Sequence, residues 1–85
     1  MSKSISKEEV YLKIGFLNIF LDEKWVFVLE EDSNALFPFS LWQDYGLEGS
    51  DCILVGDLRK INTYLNYVIR KFCLKEDWLD YKKNN

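Results

Sequence analysis

The strongest pattern in this sequence is the periodic spacing of apolar residues over 58–73, which is typical of an amphipathic α-helix. At about 100° per residue, its apolar side chains fall on one arc: Leu58, Ile61, Leu65, Val68, Ile69 and Phe72. The opposite arc is polar: Arg59, Asn62, Thr63, Asn66 and Arg70. Asp57 directly precedes this stretch and belongs to a residue type that caps helix N-termini. A helix with one apolar face needs a second layer to cover that face.

Short apolar runs upstream of this helix predict the strands of that second layer. Residues 25–29 form a continuous apolar run rich in valine and aromatic side chains, which favours a strand. Residues 36–42 predict a third strand that is an edge or irregular, because Pro38 cannot donate to a ladder. Residues 43–51 contain two glycines and three acids and predict a loop. Residues 52–55 are again apolar and of strand type.

Residues 10–21 carry two conflicting signals. Ser6 and Glu9 have the spacing of a capping box, which favours a helix that starts near Lys7. Gly15 and the run rich in Ile and Phe oppose that helix. The polar break at 22–24 is only three residues long and leads into the strand at 25–29, as in a β-hairpin. We therefore predict strand–turn–strand here, with the helix as the alternative.

The predicted fold class is α+β, with a small antiparallel sheet packed against the C-terminal amphipathic helix. The sheet consists of a β-hairpin plus one or two short strands. Leu74, Trp78 and Tyr81 recur at helical spacing, so a second short helix, or a continuation of the first, is expected to dock on the body. The 85 residues predict a single domain, 1–85, with flexible tails at 1–6 and 82–85.

The sequence predicts a cytoplasmic protein. The first residues lack the apolar segment of a secretory signal, and the apolar runs 14–17 and 25–29 are far shorter than the roughly 20 residues of a membrane span. Cys52 and Cys73 are then expected to be reduced. Both lie in apolar contexts, so we predict inert thiols in the core.

Catalytic and metal-binding designs are mostly excluded by composition. The chain has no histidine, which removes the usual general base and the Ser-His-Asp and Cys-His arrangements. Two cysteines do not supply the four ligands of a zinc site, and the 43–51 loop lacks the carboxylate pattern of a calcium loop. Carboxylates such as those of residues 30–32 are more typical of solvated turns than of acid–base catalysis. We expect a protein that is not an enzyme and has no metal or cofactor.

Charge is distributed unevenly along the chain. Residues 1–57 hold four lysines and eleven acids, and residues 58–75 hold five basic residues and no acid. An acidic segment rich in aromatic residues is suited to a basic protein surface, because charge steers the encounter and aromatic side chains anchor it. This pattern favours an inhibitor, immunity protein, antitoxin or phage-encoded inhibitor of a host enzyme, whose target is a nucleic-acid-processing enzyme or a toxin. The predicted partner-binding residues are Trp25, Glu30, Glu31, Asp32, Phe37, Phe39, Trp42, Asp44, Tyr45 and Glu48.

Two other functions stay open at this point. The basic face of the C-terminal helix fits a nucleic-acid-binding regulator, with its cations on phosphates and its amides near bases; the residues are Arg59, Lys60, Asn62, Asn66, Arg70 and Lys71. The net charge of −3 opposes binding to a polyanion. The high aromatic content also fits a homodimeric adaptor that hides apolar surface across a two-fold axis. Exposed charges are often merely solvated.

Overall fold

The computed structural model describes residues 5–21 and 26–85 and has the predicted α+β fold. Three strands form one antiparallel sheet in the order β1-β2-β3, and helices pack against it. The elements in chain order are α1 (Lys7–Phe20), β1 (Val26–Glu31), β2 (Phe39–Asp44), a single 3₁₀ turn (Gly46–Glu48), β3 (Ser50–Gly56), α2 (Leu58–Lys71) and α3 (Lys75–Lys83).

One hydrophobic core lies between the sheet and the helices. α1 lies over β1, while α2 lies over β2 and β3. The core side chains are Val10, Ile14, Phe16 and Leu17 from α1, Phe27, Leu29, Phe39 and Leu41 from the sheet, Ile61, Leu65, Val68 and Ile69 from α2, and Trp78 from α3. The middle of the apolar arc of α2 is therefore covered, while Phe72 at its end stays 49% exposed.

The strand–turn–strand prediction for residues 10–21 is wrong, because Lys7–Phe20 is a helix. The Oγ of Ser6 accepts a hydrogen bond from the backbone N–H of Glu9 at 3.1 Å, so Ser6 caps this helix. Aromatic packing compensates for the poor helix propensity of the run, since the ring of Phe16 lies 5.4 Å from that of Trp78 and 5.3 Å from that of Tyr81. The predicted turn at 22–24 lies outside the described residues.

The prediction for this strand was an edge or irregular strand, and the edge alternative is wrong because β2 is the central strand. Its pairing with β3 is irregular at Leu41 and Trp42. It begins at Phe39, directly after Pro38, so the missing N–H of proline costs no ladder hydrogen bond. The carbonyl of Pro38 accepts from the N–H of Asp32 at 2.7 Å and closes the β1–β2 loop. Strand pairing also reaches into the predicted loop 43–51, because β2 ends at Asp44 and β3 begins at Ser50.

The C-terminal prediction is confirmed for both helices. An Asp57 side-chain oxygen accepts from the N–H of Lys60 at 2.9 Å and caps α2. α2 ends at Lys71, Cys73 adopts a positive φ of 56°, and α3 is a separate helix. Cys52 and Cys73 are both exposed, so the prediction of core thiols is wrong. In residues 5–21 and 26–85, no helix is long and apolar enough to cross a membrane.

Candidate protein-binding site

The two sides of the sheet have different neighbours. Side chains alternate along a strand, and in β1 this alternation sends Phe27 and Leu29 into the core while Val26 and Val28 stay exposed. Leu41 of β2 faces the same core and is fully buried. The helices therefore cover one side of the sheet, and within the described chain no element covers the other.

The uncovered side, which we call the open face, is a grid of nine residues in three cross-strand rows. The strand register aligns Glu30 with Ser40 and Val55, Val28 with Trp42 and Cys52, and Val26 with Asp44 and Ser50. Trp42 is the centre of this grid. Val26, Val28 and Val55 are 39%, 40% and 40% exposed, so the open face joins apolar surface to two carboxylates.

Trp42 carries a polar group that has no partner among the described residues. Its indole N–H is buried and donates to no acceptor among the described residues. A buried donor that stays unpaired costs about 1–3 kcal/mol. Trp42 also lines an open depression of about 340 Å³ together with Val28, Glu30, Asp44, Gly46, Gly49 and Ser50. Tryptophan is enriched at the energetic centres of protein interfaces.

The sheet segment is uniformly acidic. Residues 26–57 contain seven acids and no lysine or arginine. Glu31 lies on the helix side, where its Oε1 pairs with Nζ of Lys7 at 2.8 Å. Within the described residues, the carboxylates of Glu30 and Asp44 have no basic partner. The open face is therefore a negatively charged surface with an apolar centre.

Three of the predicted partner-binding residues, Glu30, Trp42 and Asp44, lie together on the open face. Phe39 does not, because it faces the helices and is only 8% exposed. Its prediction as an interface anchor is corrected: the parity of β2 places it with Leu41 in the core.

The remaining predicted partner-binding residues lie at the ends of the strands or outside the described chain. Asp32 and Phe37 are exposed in the β1–β2 loop. Tyr45 and Glu48 lie in the turn that follows Asp44, and desolvation and the Asp51 carboxylate raise the pKa of Tyr45. Trp25 falls outside the described residues.

Sequence reasoning missed the apolar half of the open face. Val26, Val28, Val55 and Cys52 were read as core or as strand formers only. The alternation of β1 contains the needed signal, because two exposed valines and two buried side chains interleave there. The open face can be predicted only with the knowledge that helices cover a single side of β1.

The predicted nucleic-acid surface on α2 is interrupted. Asn62 is buried, and its Oδ1 accepts from Nζ of Lys13 at 2.5 Å, so this amide is not available to a base. The basic pairs 59–60 and 70–71 lie at opposite ends of the helix, roughly 16 Å apart at 1.5 Å per residue. Lys71 Nζ lies over the rings of Tyr67 and Phe72 at 6.0 and 5.8 Å. The other residues of this predicted surface are exposed: Arg59, Lys60, Asn66, Arg70 and Lys71.

A second group of titratable side chains joins the three helices. Lys13 of α1 is 4% exposed and contacts Asn62 of α2, Glu9 at 3.5 Å, and the ring of Trp78 at 5.6 Å. Glu9 also pairs with Lys82 of α3 at 3.0 Å. Desolvation lowers the pKa of Lys13 in spite of the Glu9 carboxylate. The hydrogen bond from Lys82 lowers the pKa of Glu9. These contacts tie helices together inside the fold.

Among the residues that the structure describes, no three His, Cys, Asp or Glu side chains are grouped to hold a metal ion. Comparison of the chain with protein-family models, with curated proteins and with solved structures finds no match in any of the three.

Proposed function

We propose that this chain is a protein-binding module that uses the open face to mask a basic surface of another protein. The observation that carries this proposal is the position of Trp42. This half-buried tryptophan, whose N–H bonds to no described residue, lies at the centre of an acidic sheet face that no described element covers. The partner that complements the open face offers lysine or arginine side chains and apolar contact.

The chemistry of the open face suits masking better than catalysis. Its carboxylates are solvated and flank apolar side chains, and the chain has no histidine to serve as a general base near neutral pH. Nucleic-acid-processing enzymes and toxins that act on nucleic acids carry basic surfaces. An inhibitor, immunity protein, antitoxin or phage-encoded inhibitor of such an enzyme in the cytoplasm is the role that we propose.

Affinity capture tests this proposal, with lysates of the organism that encodes the chain and, for a phage-encoded inhibitor, of the infected host. The variant Trp42→Ala/Glu30→Lys removes the central ring and reverses one charge on the open face. The control, Leu79→Ala/Asp80→Lys, makes the same change of charge and truncates a smaller apolar side chain at exposed positions of α3. We expect wild type and control to retain a basic protein and the open-face variant to lose at least about tenfold in affinity, or 1.4 kcal/mol.

Equal capture by all three proteins would show that the open face is not the binding site. Capture of nucleic acid in place of protein would also overturn the proposal, most directly if Arg59→Ala/Arg70→Ala abolished it. That capture should also weaken by orders of magnitude between about 50 and 200 mM salt if six or more phosphates are contacted.

A further inference from the structure

The two edge strands of the sheet differ in whether other groups bond to their free backbone N–H and C=O groups. At the β1 edge, Asn18 of α1 occupies the position of a further strand. Its Nδ2 donates to the carbonyl of Phe27 at 3.2 Å and its Oδ1 accepts from the N–H of Phe27 at 2.8 Å. The Lys7–Glu31 ion pair holds α1 to the other end of β1. Side chains and a covering helix are common devices that protect an edge strand from pairing.

Among the described residues, no side chain closes the β3 edge as Asn18 closes the β1 edge, and its protection is limited to Asp51 and one β-bulge. Within residues 5–21 and 26–85, β3 pairs only with β2. Its sequence, Ser50–Gly56, contains no lysine, arginine or proline. A single register shift opposite Leu41 and Trp42 leaves Ile53 without a paired residue on β2. An apolar edge strand of this length is a template for pairing with another chain.

A groove runs beside this open edge on the helix side. Its lining combines apolar and aromatic side chains, Leu54, Tyr64 and Tyr67, with polar ones, Asp57, Arg59, Lys60 and Thr63. It measures about 650 Å³, and the ring of Tyr67 is 47% exposed. Side chains of a strand added to β3 would enter this groove.

We propose that the occupant of the β3 edge is a second copy of this chain, paired antiparallel through β3 so that two sheets join into one of six strands. Neighbouring strands lie about 4.8 Å apart. α2 lies over β2 and β3 in each copy, so the two α2 helices come to lie about 10 Å from each other. That distance matches the 8–10 Å of packed helices. Leu54, Tyr64 and Tyr67 of each copy then fill the groove of the other.

Charge at the ends of β3 supports a second copy as the occupant. Antiparallel pairing sets the start of one β3 beside the end of the other. Asp57 and Lys60 follow the end of β3. Asp51 lies near its start, aligned with Gln43, and Gln43 and Lys71 line the same depression. Each end of the joint therefore combines two acids with two lysines, and the Asp51 carboxylates of the two copies stay at opposite ends.

This joint uses a different surface from the open face and goes beyond the proposed function. Both open faces lie on the same side of the six-stranded sheet, with their Trp42 positions three strand spacings, or about 14 Å, apart. The dimer would present a doubled acidic surface to a partner. Its existence does not depend on whether the open face binds one.

Light scattering on the full chain from about 1 to 200 μM tests the proposal in the range of affinities expected for a small interface. We expect wild type to reach twice the chain mass of 10.2 kDa. Tyr67→Glu places a carboxylate in the apolar part of the joint, where it loses its water on pairing, and is expected to give a monomer. Tyr11→Glu, at a tyrosine of α1 that is 46% exposed, is the matched control and should stay dimeric, as should Trp42→Ala.

Amide hydrogen exchange on the wild type gives a readout that does not depend on how Tyr67→Glu folds. Exchange of the β3 amides should slow by at least about tenfold from the lowest to the highest concentration, while the β1 amides keep the same rate. A wild-type mass of one chain at every concentration, a mass other than that of two chains, or a β3 exchange rate independent of concentration would each overturn the proposal.

Discussion

The helix side and the open side of the sheet each bury a polar side-chain group, and they satisfy it differently. On the helix side, the ammonium of Lys13 is bound by Asn62 and Glu9 and faces the ring of Trp78. On the open side, the indole N–H of Trp42 is bound by no described residue. Nearly all buried polar groups in native proteins have partners. The group on the helix side is therefore part of the fold, and we propose that the one on the open side lies where a partner binds.

The largest expected difference between the two sides lies in their apolar side chains. Leu41 is fully buried on the helix side, so Leu41→Ala should lower the free energy of unfolding by about 4 kcal/mol through lost burial and a cavity. Val28, on the open side, is the control, and Val28→Ala should cost less than about 1 kcal/mol. Urea unfolding of both variants measures the difference. Equal costs would mean that the open side is covered as well.

The next largest effect concerns the network around Lys13. Asn62→Ala should cost about 3 kcal/mol, because it leaves a buried ammonium with only the more distant Glu9 carboxylate. The double variant Lys13→Met/Asn62→Leu removes both polar groups, and its free energy of unfolding should lie within about 1 kcal/mol of the wild-type value. Chemical denaturation of the single and double variants decides this. A double variant no more stable than Asn62→Ala would show that the network contributes more than the satisfaction of one buried charge.

The fold was predictable where one local pattern had a single interpretation. The stripe of α2 and its Asp57 cap defined that helix to within two residues of its end, because an amphipathic period and a cap gave the same answer. α1 was mispredicted because its helical signal, the Ser6 cap, competed with a β-prone run. The contacts that decide the outcome, Phe16 with Trp78 and Tyr81, join residues far apart in sequence and are not visible in a local window.

The candidate site was predictable in composition and not in arrangement. Acids and aromatics near residues 30–44 were identified from charge and residue type, and Glu30, Trp42 and Asp44 do share a face. Residue type alone could not separate Trp42 from Phe39, which lies three positions earlier and faces the core. Strand register makes that distinction, since adjacent strand positions face opposite sides. Likewise, Asn62 sits on the flank of α2 that a lysine from α1 reaches.

A smaller effect should separate the contribution of Trp42 to the free energy of unfolding from its proposed role in binding. Trp42→Phe removes the unpaired N–H and keeps most of the ring, so the relief of about 1–3 kcal/mol offsets the lost contact area. The free energy of unfolding should stay within about 1 kcal/mol of wild type while affinity for the captured partner falls. Urea unfolding and the capture assay measure the two quantities on the same variant. A loss of stability above about 2 kcal/mol would mean that the N–H is satisfied inside the fold.

The smallest effect is the pH dependence that Lys13 confers on stability. Desolvation lowers its pKa below 10.5 in the folded chain, so between the two values the unfolded chain binds more protons and the free energy of unfolding rises with pH. Tyr64, whose pKa burial raises above 10.0, and Lys7, whose pKa Glu31 raises, act in the opposite direction at higher pH. Lys13→Met retains both groups, so subtracting its unfolding free energy from that of wild type isolates Lys13. The unfolding free energy of wild type should increase relative to that of Lys13→Met as pH rises from neutral toward 10.5. A difference that does not change with pH would mean that Lys13 carries its charge inside the fold without a desolvation cost, and the contrast with Trp42 would then rest on hydrogen bonding alone.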